Sequence, residues 1–171
     1  MGILSGNPKN EPLHEGEVFG VWSYIASNNG LISLYQAFIN HVGDRDLGSM
    51  LEDAVKAMKD ENQEASELLK ANGIAIPPAL PDRPIATADE IPVGARITDP
   101  EISAILSANA AQGLVGCSMI IGQAIREDIG MMFGKFHSNK AQFGAKLLRM
   151  NKEKAWLIPP PLNVSPASTH S

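Results

Sequence analysis

Cysteine, aromatic residues, basic charge and long apolar runs are all scarce in this chain. A single cysteine, Cys117, among 171 residues excludes an intramolecular disulfide and a cysteine-rich zinc site, and nothing then points to secretion. Lys and Arg number 14 against 19 Asp and Glu, for a net charge of −5. A nucleic-acid binder needs a basic surface to displace counterions from phosphate, so no nucleic-acid partner is expected. The longest nearly apolar stretch, Gly113 to Ile125, is interrupted by Ser118 and Gln123 and falls short of the ~20 residues that cross a bilayer. It reads as a buried helix, and no membrane partner is expected. The opening Met1-Gly2-Ile3-Leu4-Ser5-Gly6-Asn7-Pro8 has too short an apolar run for a signal peptide, and Gly6 stands where a myristoylation signal wants Ser or Thr. The expectation is a protein without an export signal or lipid anchor, of reducing cytosolic origin.

Catalytic signatures are equally scarce. No serine has a Gly-x-Ser-x-Gly setting, and there is no glycine-rich phosphate loop. The four histidines, His14, His41, His137 and His170, contain no pair at the i, i+4 spacing of a helical metal site, and read as solvated or capping residues. Cys117 has no His or basic residue near it in sequence and reads as a small buried hydrophobe. No catalytic residue and no cofactor is therefore expected, and the chain is read as a protein that is not an enzyme.

What the chain does have is repetition. An offset of 82 lays Asp46-Leu47-Gly48-Ser49-Met50-Leu51 on Asp128-Ile129-Gly130-Met131-Met132-Phe133. The same offset of 82 lays Ile76-Pro77-Pro78-Ala79-Leu80 on Ile158-Pro159-Pro160-Pro161-Leu162. With 44% hydrophobic residues the chain supports one well-buried core, so 1–171 is read as a single domain. Its parts are a flexible arm (1–12), a first helical hairpin (13–72), a crossover (73–98), a second hairpin (99–157) and a proline-rich tail (158–171).

The first helix is expected from Leu13 to Val42, with Val18, Val21, Ile25, Asn28, Ile32, Tyr35, Ile39 and Val42 at alternating steps of three and four. Phe19, Trp22 and Phe38 widen its apolar stripe. Gly43 is expected to stop it by taking the left-handed conformation. The second helix follows the Asp44 to Asp46 cap and runs to about Asn72, with Leu47, Leu51, Ala54, Met58, Glu61, Ala65 and Leu68 on its seam. A helix of this length is roughly 40 Å long. The extended crossover reaches up to ~85 Å, enough to traverse the bundle, which is the long-crossover arrangement of ferritin-like bundles. The third helix opens at Asp99-Pro100-Glu101, with Asp99 as cap, and its Ala104, Ser107, Ala108, Ala110, Ala111, Gly113 and Gly116 are expected to accommodate aromatics of the first helix. The fourth begins near Asp128, with Ile129, Phe133, Phe136, Lys140, Phe143, Leu147 and Met150 on its seam. The fold class is thus all-α: a ferritin-like four-helix bundle of two duplicated helical hairpins joined by a long proline-rich crossover.

Such a bundle invites a two-metal carboxylate site, with ligands from both halves. Glu61 and Glu64 are the only residual metal candidates. Their counterparts at the offset are Phe143 and Lys146, and no carboxylate or His lies between Glu101 and Glu127, so no metal site is expected. Glu61 reads instead as part of a polar core layer with Asn28 and Lys140, paired with Lys140 or hydrogen-bonded to Asn28. Acidic residues gather on the second helix and basic residues on the fourth, faces able to pair within one bundle or between copies.

The run Glu17-Val18-Phe19-Gly20-Val21-Trp22, the capped turn and the Ile-Pro-Pro closing motif resemble a family of ferritin-like proteins from endospore-forming bacteria, described as spore-coat proteins or as a domain of unknown function. The resemblance implies a four-helix bundle and a place in the spore coat, and supplies no catalytic residue. The absent Glu-x-x-His pairs depart from the metal-oxidising relatives. The resulting expectation is a non-enzymatic structural or assembly protein, a spore-coat component made in the mother-cell cytoplasm, that self-associates as a homodimer or larger and meets other coat proteins. The alternative is a ligand- or metal-binding bundle with a degenerate site.

Overall fold

Among the described residues, four α-helices are joined by two three-residue links and one long crossover. The structure, a computed structural model, describes residues 11–163. Residues 1–10 and 164–171, which include most of the expected arm, much of the tail and His170, lie outside the described residues. The helices are α1 (Glu15–His41), α2 (Arg45–Ala71), α3 (Asp99–Gln123) and α4 (Glu127–Glu153), with two 3-10 turns, Ala88–Glu90 and Val93–Ala95, inside the crossover. The links are too short for anything but antiparallel neighbours, so α1 pairs with α2 and α3 with α4. Asp99, at the start of α3, is hydrogen-bonded to Gly43 and Asp44 at the α1–α2 link, whereas Asn72, at the end of α2, meets Arg126 at the opposite end. The chain after α2 therefore runs the length of the bundle before α3 begins.

Each half closes the other. At the α1–α2 link the Asp99 carboxylate accepts from the Gly43 and Asp44 N–H groups at 2.9 and 3.0 Å. At the α3–α4 link the Glu17 carboxylate accepts from the Ile125 and Arg126 N–H groups at 2.8 and 2.9 Å. Residues 17 and 99, 43 and 125, and 44 and 126 are all 82 apart. So are the bounds of α2 and α4, and so are the left-handed residues that end them, Gly73 (φ 74) and Ala155 (φ 57). Both ends bond back in the same Schellman pattern, Ile74 N–H to Leu69 and Trp156 N–H to Asn151, each at 2.9 Å.

Two local expectations change here. Gly43 is not left-handed; α1 ends because Val42 turns extended (φ −63, ψ 131), and the left-handed glycine is Gly73, where the chain leaves the bundle end. The link must enter the next N-cap at once, and Asp99 rather than a helix-terminating loop satisfies its N–H groups. Nor is Asp99 the cap of α3: Thr98 is, in a reciprocal capping box with Glu101, which leaves the Asp99 carboxylate for the other hairpin.

The core is divided. One cluster near the α1–α2 link contains Phe38, Leu47, Leu51, Ile102, Leu106 and Leu147, and another near the α3–α4 link contains Val21, Ile25, Leu69, Ile129, Phe133 and Phe136. All four helices contribute to each. The two clusters exchange under the offset: Leu47 and Leu51 of one correspond to Ile129 and Phe133 of the other.

Burial overturns two further expectations. Most of α3 is not buried: Val115 is 60% exposed and Met119 58%, and only Ile102, Ser103, Leu106 and Cys117 are fully covered. By length and composition this helix is apolar enough to cross a membrane; one side of it is nevertheless packed along α4. Phe19 is 72% exposed rather than packed into α3, and the space at Gly113 is taken by the Lys140 stem, which would lie 2.9 Å from a Cβ there. Small residues promise close approach without saying what approaches.

Candidate functional site

Between the two core clusters lies a polar layer, and beside it a cavity of about 580 Å³ bordered by all four helices. The Glu61 carboxylate, 4% exposed, projects from α2 and accepts from the Lys140 ammonium at 2.7 Å and from the Tyr24 hydroxyl at 2.6 Å. Lys140 reaches it from α4, its stem crossing Gly113 and its ammonium 5.2 Å from the centre of the Tyr24 ring. The Tyr24 ring stacks on Phe136 and meets Phe133 edge-on, with centroids 5.6 and 4.9 Å away, which fixes its hydroxyl at the layer.

The expected layer of Asn28, Glu61 and Lys140 is only partly a single network. Glu61 and Lys140 are joined; Asn28 is not bonded to Glu61 but donates to Asn62 at 3.0 Å, and Asn62 donates to Asn29 at 2.9 Å. Asn29 in turn donates to the Pro78 carbonyl of the crossover at 3.0 Å. The reason is geometric: Asn28 and Asn62 face each other across the α1–α2 seam, while Glu61 turns toward α4. Tyr24 was absent from the sequence-derived layer. Its position three residues after Val21 and four before Asn28 on the same face was the available signal.

The carboxylates weighed for a metal do not converge. Glu61 is neutralised by Lys140 inside the bundle, whereas Glu64 pairs with Lys135 at the half-exposed rim. No cluster of three or more metal-ligating side chains occurs among the described residues. Between α2 and α4, two charge pairs form within one chain, Glu61 with Lys140 and Glu64 with Lys135.

Electrostatics follow burial. Desolvation, followed by the charge of Glu61, holds the Tyr24 phenol far above its usual range, so it serves as a hydrogen-bond donor. Burial likewise raises Tyr35. The Cys117 thiol, fully buried beside the layer, is pushed up to about 11, mainly by desolvation, and has no thiolate character at neutral pH. His14 caps α1: its Nδ1 accepts from Gly16 and Glu17, and its Nε2 lies 3.1 Å from the Gln123 carbonyl, an arrangement that selects the Nε2-protonated tautomer. His41 bonds the Ala37 carbonyl at 2.7 Å near the end of α1, and His137 is partly buried on α4.

A family profile described as "Protein of unknown function (DUF3231)" matches residues 1–168. The "Uncharacterized protein YvdQ" of Bacillus subtilis (strain 168) is 54% identical over 164 residues, covering 96% of each chain. The crystal structure of a Bacillus halodurans C-125 protein, described as "a putative spore coat protein", matches with a TM-score of 0.91 and 58% identity. That match covers 93% of this chain and all of the other.

Proposed function

Because this chain belongs to the DUF3231 family of proteins of unknown function, we propose from its surface that it is a non-enzymatic structural protein that assembles through α3, a component of the spore coat made in the mother-cell cytoplasm. The observation that carries the reading is a bare helical seam. On α3 the residues Ala104, Ala108, Ala111, Val115, Ser118 and Gly122 recur at steps of four and three, and all are exposed. No charged residue occurs between Glu101 and Arg126. A seam of small residues without charge admits a second helix at close range, and a copy of itself fits best, since most closed assemblies are isologous pairs.

The corresponding face of α1 shows what such a seam requires. Asn29, Ser33, Gln36 and Asn40, which match Ala111, Val115, Ser118 and Gly122 at the 82 offset, are hydrogen-bonded to the crossover at Pro78, Arg83, Asp82 and Pro84. One hairpin is covered by its own chain. The other presents an apolar equivalent, for which a second copy is the proposed cover. The description of the Bacillus halodurans relative supports the coat assignment, and other coat proteins are the further partners in this reading.

Light scattering should therefore report a homodimer or larger species, and Ala111→Glu with Val115→Glu should yield a monomer. Because the proposed seam on α3 carries no charge, ~1 M salt should not dissociate the assembly, although screening then acts within ~3 Å. A wild-type monomer at every concentration would defeat self-assembly, and a monomer that floats with phospholipid vesicles would instead assign the α3 face to a membrane. A fluorescent fusion in sporulating cells should collect at the spore surface; signal remaining diffuse through spore maturation would defeat the coat assignment.

A further inference from the structure

Interiors pack to the density of organic crystals, but beside the polar layer this bundle opens into a cleft that reaches solvent at Phe19, Ala57, Met119 and Asn139. The cavity of about 580 Å³ lies within the range of sites that hold drug-sized molecules. It is not a gap in a uniformly greasy core. Its walls include Leu31, Met58, Ile120 and Phe143, and the polar layer forms part of its lining through Tyr35, Lys140 and Glu61. Phe19 and Met119, both largely exposed, stand at its rim.

The lining defines what would fit. Lys140 is already matched by Glu61, so the pair contributes no net charge, and no other charged side chain lines the cleft to compensate a charged guest. Two lining groups have donor capacity to spare, while Glu61 Oε1, outside both of that carboxylate's hydrogen bonds, is open as an acceptor. The Lys140 ammonium has three hydrogens and forms one bond to Glu61. The Tyr35 hydroxyl, 4% exposed, accepts a long 3.5 Å bond from Asn109 and keeps its own hydrogen for another partner. We infer that the space between the hairpins is a binding site for an uncharged, predominantly apolar small molecule carrying a carbonyl-type acceptor, its oxygen set toward Lys140 and Tyr35. The inference goes beyond assembly through α3 and does not depend on it, although Phe19 and Met119 would place a partner copy beside the mouth.

Nile red, an uncharged dye with a carbonyl acceptor and polarity-sensitive emission, is the probe. Wild-type protein should bind it saturably, at one per chain, with blue-shifted emission. The anionic dye 1-anilinonaphthalene-8-sulfonate should bind at least tenfold more weakly. A Cβ at Gly116 meets nothing within 4 Å, so Gly116→Phe can fill the cavity without a backbone clash and should weaken Nile red at least tenfold. Ala57→Phe, on the α2 wall, should do the same, and circular dichroism melts establish that both variants fold. Met131→Gln with Leu148→Gln alters an outer face of α4 only, away from the cavity and from the α3 seam, and should leave affinity within twofold. Absence of saturable binding, unchanged affinity in both filled variants, or loss confined to the outer-face variant would overturn the cavity assignment. Tighter binding of the anionic dye would overturn the uncharged class. Since the readout is dye binding rather than oligomer size, failure here leaves the assembly proposal standing, and the converse also holds.

Discussion

The two hairpins share one backbone plan and use it differently. In the first, Tyr24, Asn28, Asn29, Glu61 and Asn62 fill the seam and the surface above it with hydrogen bonds, and the crossover lies on top. Their counterparts at the 82 offset are Leu106, Ala110, Ala111, Phe143 and Gly144, none with a comparable polar role. Ile76 is partly buried and Pro77 buried, whereas the matching Ile158 is 91% exposed. A polar side chain on a helix flank can anchor an extended segment through its backbone, as Asn29 and Asn40 do. A small apolar one cannot, and leaves the flank open to helix packing. Holding the plan constant while changing these residues is how one half becomes self-covered and the other exposed.

The bundle ends tell the same story in charge. At one end Lys154 bonds Asp44 and Asp46 at 2.6 and 2.8 Å. At the other, Arg126 bonds Asp128 at 2.6 Å and Asn72 at 3.2 Å. Positions 44 and 126 correspond, as do 72 and 154, so the cation stands just after α4 at one end and just before α4 at the other, each time beside an acidic side chain.

Variants that make one half imitate the other put this contrast to the test. The largest effect is expected from Lys140→Met, which installs the Met58 counterpart and strands Glu61. It should cost about 3–5 kcal/mol in denaturant unfolding, and adding Glu61→Leu should recover most of it. A negligible loss in the single variant would mean that Glu61 is effectively solvated. The two clamps come next. Glu17 is buried and holds three N–H groups, those of Ile125 and Arg126 and that of His14, so Glu17→Ala should cost about 3 kcal/mol. Asp99→Ala, at the more exposed link, should cost about 1 kcal/mol; reversal of that order would contradict the burial difference. At the Schellman ends, Gly73→Ala should destabilise by about 1 kcal/mol, whereas Ala155→Gly should stabilise by up to ~1 kcal/mol by relieving left-handed strain.

The smallest effect is a pH dependence at one end only. Bonding to Lys154 first, and then to the Leu47 N–H, lowers the Asp44 carboxyl below its ordinary value. Its contribution is complete above the ordinary carboxylate pKa of ~3.9 and is lost as pH falls through the lowered folded value. Thermal melts of Asp44→Asn should show a shallower loss of stability in acid than wild type, and parallel curves would exclude the linkage.

Four helices and their order were legible because apolar residues at steps of three and four repeat over long stretches. The start of α2 was legible because its cap, Asp44, lies beside it in sequence. Gly43 was misread because the carboxylate that holds its link lies in the other hairpin, beyond any local pattern; for Asp99 the local Thr98-x-x-Glu101 capping box was the available signal. The Glu61–Lys140 pair could be found from seam position and charge, whereas Asn28 was assigned to Glu61 when Asn62, one residue on, faces it. Exposure of α3 was not legible at all: alanine and glycine fit a buried contact and a vacant one equally well, and only the folded neighbours distinguish them.

The reciprocal clamps carry a topological consequence. Each is made by a carboxylate of one hairpin and backbone of the other, and neither uses any residue of 73–98. The recognition between halves is therefore written into the halves themselves, and the crossover supplies proximity rather than instruction. By the same chemistry a hairpin can be completed by the corresponding hairpin of another molecule, with the crossover as the bridge between them. If copies associate as proposed, exchange of halves would be a second route to that assembly, one that needs no contact absent from the monomer.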